Sequence, residues 1–306
     1  MKRHIFGGIC QVLFRKKWGD FNYEQRKSLE KSRLRIPRRY INGGGYCWIF
    51  FTSHGLYFPT TMDEFKEQVI SNDKYEWINI SKSDEIKKKA SKYIFVRDIY
   101  KNWCLEGISA KVNSIEKLAE LLRKEAQGKP IITVGSSAGG YMAISLGCAL
   151  EAAYIYAFSP QISLIEYDKF HTVKYLKKYI ADERNKWLSL SDAIGNYRDG
   201  DIFYFYPTQC EEDVAQYNLV KSIDNEKLHI FAVRFAQHGT PIYGESVRKT
   251  LCTEPKMLIA LCDQYNRKEI SRVKYMADTS GWCKALITGA GSFFKRMIKN
   301  LKRLKH

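Results

Sequence analysis

Pro130-Ile131-Ile132-Thr133-Val134-Gly135-Ser136-Ser137-Ala138-Gly139-Gly140-Tyr141-Met142-Ala143 is the stretch on which the fold turns. An apolar, β-branched run ends in Gly-x-Ser-x-Gly. A small-residue helical pattern follows, through Ile144, Leu146, Cys148, Ala149 and Leu150. Strand, sharp turn and helix form the context that a nucleophile elbow needs. Backbone and helix nearly touch at such a turn, so the flanking positions must be glycine. The turn lifts the Ser137 hydroxyl clear of the sheet and aims the Ala138 N–H, at a helix N-terminus, toward a developing oxyanion. The five-residue motif alone arises by chance in roughly one 300-residue chain in ten, so the strand before it and the helix after it carry the reading. No Lys-Ser/Thr follows the glycines, which argues against a P-loop, and the spacing of a dinucleotide fingerprint is missing.

Outward from the elbow, five more runs read as buried strands: Tyr46–Thr52, Tyr93–Val96, Ala152–Phe158, Ile202–Tyr206 and Leu228–Val233. The clearest helix is Asn113–Ala126, with Ile115, Leu118, Ala119 and Leu122 on its apolar face and Ser114 as its cap. Residues 63–80 read as helical, then partly extended around Trp77-Ile78-Asn79-Ile80. Residues 165–198 read as a polar helical excursion, the usual place for a lid. Val214–Val220 reads as a helix, and residues 243–276 read as helical. Six nearly continuous apolar strands with helices between them imply an α/β fold, a mostly parallel sheet with helices on both faces. No repeat or low-complexity linker divides it. The expected organisation is a basic N-terminal helical segment at 1–39, one domain at 40–283 and a basic amphipathic tail at 284–306.

The 306 residues carry 50 Lys and Arg against 33 Asp and Glu, a formal charge of +17. The two ends supply 16 of those 17 charges, and the body is close to neutral. Basic ends on a neutral body point to an anionic membrane surface rather than to nucleic acid. Ile5, Phe6, Ile9, Val12 and Leu13 fall at helical spacing between basic flanks. Phe294, Met297, Ile298, Leu301 and Leu304 do the same among Lys295, Arg296, Lys299, Lys302 and Arg303. For the tail, an ordinary packed helix with a solvated basic face is the bland alternative. The eight cysteines are scattered without a C-x-x-C pair, so structural zinc is not expected, and a reducing compartment is. No run reaches the ~18 apolar residues needed to span a bilayer. The first apolar segment lacks an A-x-A-like cleavage site and reads as retained. The expected location is the cytoplasm, at the inner membrane face.

A serine at an elbow is inert without a base. His4 and His306 lie in the basic ends, His171 in the excursion and His229 inside a strand, where it reads as structural. His54 follows an early strand and reads as shaping its loop. His238, after the last core strand, is the histidine placed to reach back over the elbow. The orienting acid is expected after Ile202–Tyr206, where Glu211, Glu212 and Asp213 all qualify. Asp213 is preferred for its short side chain, against the reading that an acid here only caps the helix near Val214. Asp224 is a weaker outsider. The second oxyanion donor is expected from a backbone N–H of Gly55 or Leu56. Asp98, with Arg97 and Trp103, reads equally as an ion pair with a packing indole and as a substrate-pocket wall.

Gly135-Ser136-Ser137-Ala138-Gly139-Gly140, the strand ending in His54-Gly55, and His238-Gly239 resemble the α/β-hydrolase superfamily over roughly residues 40–265. The resemblance implies a three-layer α/β-hydrolase-like fold and attack by serine on an ester, thioester or amide carbonyl. By it the nucleophile, base and acid fall on Ser137, His238 and Asp213. The loop Ser-His-Gly-Leu-Tyr departs from the family by lacking a Gly-rich oxyanion run. The acid also lies several residues beyond its strand. Val96–Trp103 with Phe158-Ser159-Pro160-Gln161 is similar to a hydrolase-like group of bacterial surface-polysaccharide gene clusters. The expected function is a serine esterase or deacylase on an acylated glycan or lipid-linked substrate, with no cofactor and no metal. An acyltransferase on the same residues and a non-catalytic assembly protein are the alternatives.

Overall fold

The computed structural model describes residues 34–35, 45–58, 61–173, 176–182 and 185–291. The N-terminal amphipathic segment and the tail from 292 onward lie outside the described residues. Among the described residues, eight strands form one sheet: β1 (Leu34–Arg35), β2 (Tyr46–Phe51), β3 (Ala90–Val96), β4 (Ile131–Ser136), β5 (Tyr154–Phe158), β6 (Asp201–Pro207), β7 (Leu228–Arg234) and β8 (Ile270–Ser271), in the order β1-β3-β2-β4-β5-β6-β7-β8. β2 to β8 pair in parallel, and only the two-residue β1 is antiparallel, against β3.

The central strands are buried on both faces, and the two-residue period of a strand sorts their side chains. Cys47, Ile49 and Phe51 of β2 join one cluster, while Trp48 and Phe50 join the other. The first cluster is covered by α2 (Ile115–Ala126), by α3 (Ala138–Ala149) and by Leu164, Val173, Leu176, Leu188, Leu190 and Ile194. The second is covered by α1 (Asp84–Lys89) before them and by α6 (Gly244–Cys252), α7 (Pro255–Tyr265) and α8 (Arg272–Ser280) near the end of the chain. Leu164, at the start of α4 (Leu164–His171), belongs to the first cluster, and Val214 and Tyr217 of α5 (Glu211–Asn218) pack against it. Ser114 caps α2 by accepting from the Lys117 N–H at 3.2 Å, and Gln127 ends the helix in the left-handed region at φ 55°.

Two expectations need correction. Trp77–Ile80 is not extended: Ile78–Ser81 is a helical turn. The Trp77 indole N–H donates to Phe51 O at 2.8 Å, at the end of β2, and its ring stacks on Phe50 and Phe158. Ring packing and that bond override the local β pattern. Residues 243–276 are not one helical stretch either. Pro255 starts a new helix, Asn266 ends it in the left-handed region, and Ile270–Ser271 returns to pair with β7.

Parallel pairing puts the carboxyl ends of β2 to β7 on one edge, and the loops leaving them share that edge. Two bonds beyond the strands draw neighbouring loops together. Thr208 N–H donates to Val233 O at 2.9 Å, and Gln209 N–H donates to Phe235 O at 3.1 Å. The start of α5 is thereby brought beside residues 236–240.

Candidate active site

β4 ends at Ser136, and Ser137 caps α3 with φ 57° and ψ −125°, a strained conformation for a residue with a side chain. The surroundings leave no room for side chains on the glycines. A Cβ on Gly135 would lie 1.9 Å from Gly139 O, and one on Gly139 would lie 2.6 Å from Phe51 O. The elbow is thus wedged between β2 and its own helix. The Ser137 N–H is held by Phe158 O at 2.8 Å.

The loop after β7 is pinned over this turn. Ser159 Oγ donates to Gly239 O, and Thr240 Oγ donates to Ser136 Oγ at 3.2 Å. His238 Nε2 then lies 2.7 Å from Ser137 Oγ. Its Nδ1 lies 3.1 and 3.0 Å from the two oxygens of Asp213 and 3.2 Å from Glu212 Oε1. A ring nitrogen facing two carboxylates carries the proton, so Nε2 is the acceptor and the serine hydroxyl donates to it. The helix carrying the acids begins at Glu211, not at Val214, so all three lie in its first turn. Helical geometry turns the three in different directions. Asp213 faces inward and is buried, Glu212 reaches His238 from the rim, and Glu211 is exposed. The N-cap position is Cys210, and the Asp213 carboxylate is turned to His238.

The electrostatics separate the two acids. Burial raises the Asp213 carboxyl pKa, and hydrogen bonds from His238 and Cys210 with the His238 charge only partly offset this. Burial acts in the same sense on Glu212. There the hydrogen bond from His171, at 2.5 Å, and the charges of His238 and His171 prevail, and the net is lowered. Burial pulls the His238 pKa down, but the Asp213 hydrogen bond and charge, with the Glu212 charge, carry it above the ordinary histidine value. Cys210, Glu212 and Asp213 bring three metal-ligand types within 4.8 Å of one another. Both carboxylates are already turned to His238, so this set forms the acid side of the imidazole.

The expected oxyanion donors meet a different arrangement. Residues His54–Tyr57 form a 3₁₀ turn in which Gly55 N–H donates to Ser53 Oγ at 3.0 Å and Leu56 N–H to Ser53 O at 3.3 Å. Both N–H groups are engaged within their own loop, because Ser53 caps it. Glu76 in turn holds Ser53, accepting from its N–H and its hydroxyl at 2.7 Å each.

Asp98 and Arg97 do not pair with each other. Arg97 bonds Asp73 at 3.0 Å and lies over the Tyr75 ring, whereas Asp98 accepts from the Trp103 N–H at 2.6 Å and pairs with His54 at 3.3 Å. Burial lowers the His54 pKa, and the Asp98 hydrogen bond and charge only partly offset this. Trp103 packs on the His54 ring, with centroids 4.6 Å apart, and its indole N–H donates to Gln161 Oε1 at 3.2 Å. Gln161 Nε2 points at Ser137 Oγ from 3.4 Å. Tyr167 of α4 meets Trp103 edge-on and stacks on His171. Gln161 and His171 were not singled out as site residues from sequence. The usable signal was position, since Gln161 follows β5 directly at the carboxyl edge. His229 lies away from this group, stacked on Phe203 and paired with Asp201 at 2.9 Å.

No protein-family model and no curated protein matches the chain. Solved structures are similar to it at low identity. The capsule O-acetyltransferase of Neisseria meningitidis serogroup A is 15% identical, with TM-score 0.47, over 66% of this chain and 83% of that one. Esterase B from Lactobacillus rhamnosis is 11% identical, with TM-score 0.48, over 84% and 97%. Acetyl xylan esterase 1 from a Thermoanaerobacterium species is 12% identical, with TM-score 0.42, over 74% and 80%. The strand order, the strained serine turn between β4 and α3, and the clustering of loops at the carboxyl edge make this an α/β-hydrolase-like fold.

Proposed function

We propose that the chain is a serine acyl hydrolase, an esterase or deacylase, in which Ser137 is the nucleophile, His238 the general base and Asp213 the orienting acid. The observation that carries this reading is the unbroken hydrogen-bonded chain from Ser137 Oγ through both ring nitrogens of His238 to Asp213. Ser137 Oγ attacks the acyl carbonyl as His238 Nε2 takes its proton. The imidazolium is stabilised by Asp213 and Glu212 and then protonates the leaving alcohol. Water, activated by the same nitrogen, releases the acid from the acyl-enzyme and returns the proton to Ser137. The Ala138 N–H at the start of α3 supplies one hydrogen bond to the oxyanion. A fluorophosphonate probe tests the reading. Labelling of folded wild type but not of Ser137→Ala supports it. No labelling of folded wild type overturns it in favour of a non-catalytic assembly protein.

An acylated glycan or lipid-linked ester at an anionic membrane face is the proposed substrate class. Its support is the basic charge of both chain ends, together with Trp282, Leu286 and Ile287, which are 57%, 61% and 73% exposed where the basic tail begins. Among the described residues, no helix is long and apolar enough to cross a membrane. Transfer of the acyl group to a sugar hydroxyl uses the same acyl-enzyme. Offering sugar acceptors in competition with water, and measuring acylated sugar against free acid, separates transfer from hydrolysis.

A further inference from the structure

We infer that the Gln161 side-chain amide is the second oxyanion donor, aimed by Trp103. This rests on the acyl-transfer reading of Ser137. An oxyanion hole needs donors that are free, fixed in direction and close to the serine. Gly55 and Leu56 fail the first condition, since Ser53 takes both of their N–H groups.

Gln161 meets all three. It is 3% exposed, so water competes little for its amide. An indole nitrogen can only donate, so the Gln161 carbonyl must face Trp103 Nε1 and its NH₂ must face Ser137. The orientation of the amide therefore follows from its partner. Trp103 is itself clamped on three sides: its own N–H binds buried Asp98, His54 packs on its ring, and Tyr167 meets it edge-on. Its backbone sits at φ 56°, between the similarly left-handed Lys101 and Cys104, so the loop reaches this position by an unusual path. The 3.4 Å separation from Ser137 Oγ is long for a bond to the resting hydroxyl. It leaves the donor free to shorten onto the neighbouring oxygen when the carbonyl carbon becomes tetrahedral. When Ser137 Oγ adds, the carbonyl π electrons move onto that oxygen. Ala138 N–H and Gln161 Nε2 then stabilise the charge without accepting or losing a proton.

The test uses the full chain with p-nitrophenyl acetate and a fluorophosphonate probe. Thermal unfolding checks the fold, and Gln161→Met is a second variant that keeps the volume. Gln161→Ala and Gln161→Met are expected to lower kcat about 10²-fold with KM within about threefold, and to slow labelling of Ser137 to a similar extent. Trp103→Phe, which removes only the indole donor, is expected to lower kcat about tenfold alone and to have no further effect in the Gln161→Met background. A purely structural Trp103 would show the same loss in both backgrounds. If wild type labels at Ser137 and folded Gln161 variants label equally fast, the assignment of Gln161 is overturned while Ser137 stands. If folded wild type does not label at all, both readings fall together.

Discussion

Asp213 turns both carboxylate oxygens to His238 Nδ1, at 3.1 and 3.0 Å, from a position only 2% exposed. Glu212 reaches the same nitrogen at 3.2 Å, but from the rim and with its other oxygen committed to His171. A buried acid holds the ring in one tautomer more firmly than a half-solvated one. Asp213→Asn is therefore expected to lower ester turnover by about 10³–10⁴-fold, and Glu212→Gln by less than about tenfold at neutral pH. Steady-state kinetics on both variants decide this. A larger loss in Glu212→Gln would reverse the roles of the two acids.

The acid limb of the pH profile should report His238. The ring works as a base only when neutral, and its pKa is raised above the ordinary value of about 6.5 by Asp213 and Glu212. Activity is thus lost as pH falls through a midpoint above that value. Glu212→Gln removes one negative charge facing the ring, while Asp213 and His54 remain. The His238 pKa then falls, and the midpoint of kcat/KM moves to lower pH. An unmoved midpoint would mean that Glu212 does not act on the imidazole.

Gly135→Ala should destabilise the fold strongly. Its Cβ would meet the backbone of Gly139 at 1.9 Å, and backbone at the start of a helix wedged under β2 cannot yield as a flexible side chain would. A loss of about 3 kcal/mol or more in urea unfolding is expected. Gly55→Ala, whose Cβ meets only side-chain atoms at 3.1 Å or beyond, should cost about 1 kcal/mol or less. Equal stability of the two variants would contradict this account of the elbow.

The membrane proposal has its own readout. Replacing Trp282, Leu286 and Ile287 together by serine alters exposed side chains only. It should lower flotation with vesicles containing phosphatidylserine by at least about tenfold and leave soluble-ester turnover unchanged. Equal flotation of the variant and wild type would remove these three residues from the account.

Most of the layered body could be read locally. A run such as Cys47-Trp48-Ile49-Phe50-Phe51 is apolar on both faces, and only a strand covered from both sides buries it. The exceptions have distant causes. The turn after Trp77 follows from an indole bond to Phe51 across the sheet edge, and the short β8 exists because β7 offers it an edge. Neither cause lies within the window that a periodicity reading uses.

By itself, the sequence determined that Ser137 sits in a tight turn between a buried strand and a small-residue helix. It also placed His238 and three candidate acids in loops after later strands. Those are consequences of short-range sterics and of hydrophobic period, which neighbouring residues already contain. Tertiary structure alone decided that Asp213 is the buried partner while Glu212 is shared with His171. It also decided that Ser53 engages the N–H groups of Gly55 and Leu56, and that Trp103 turns the Gln161 amide toward the serine. A hydrogen bond is made or lost within a few tenths of an ångström, and such distances between residues far apart in sequence are set by packing of the whole sheet.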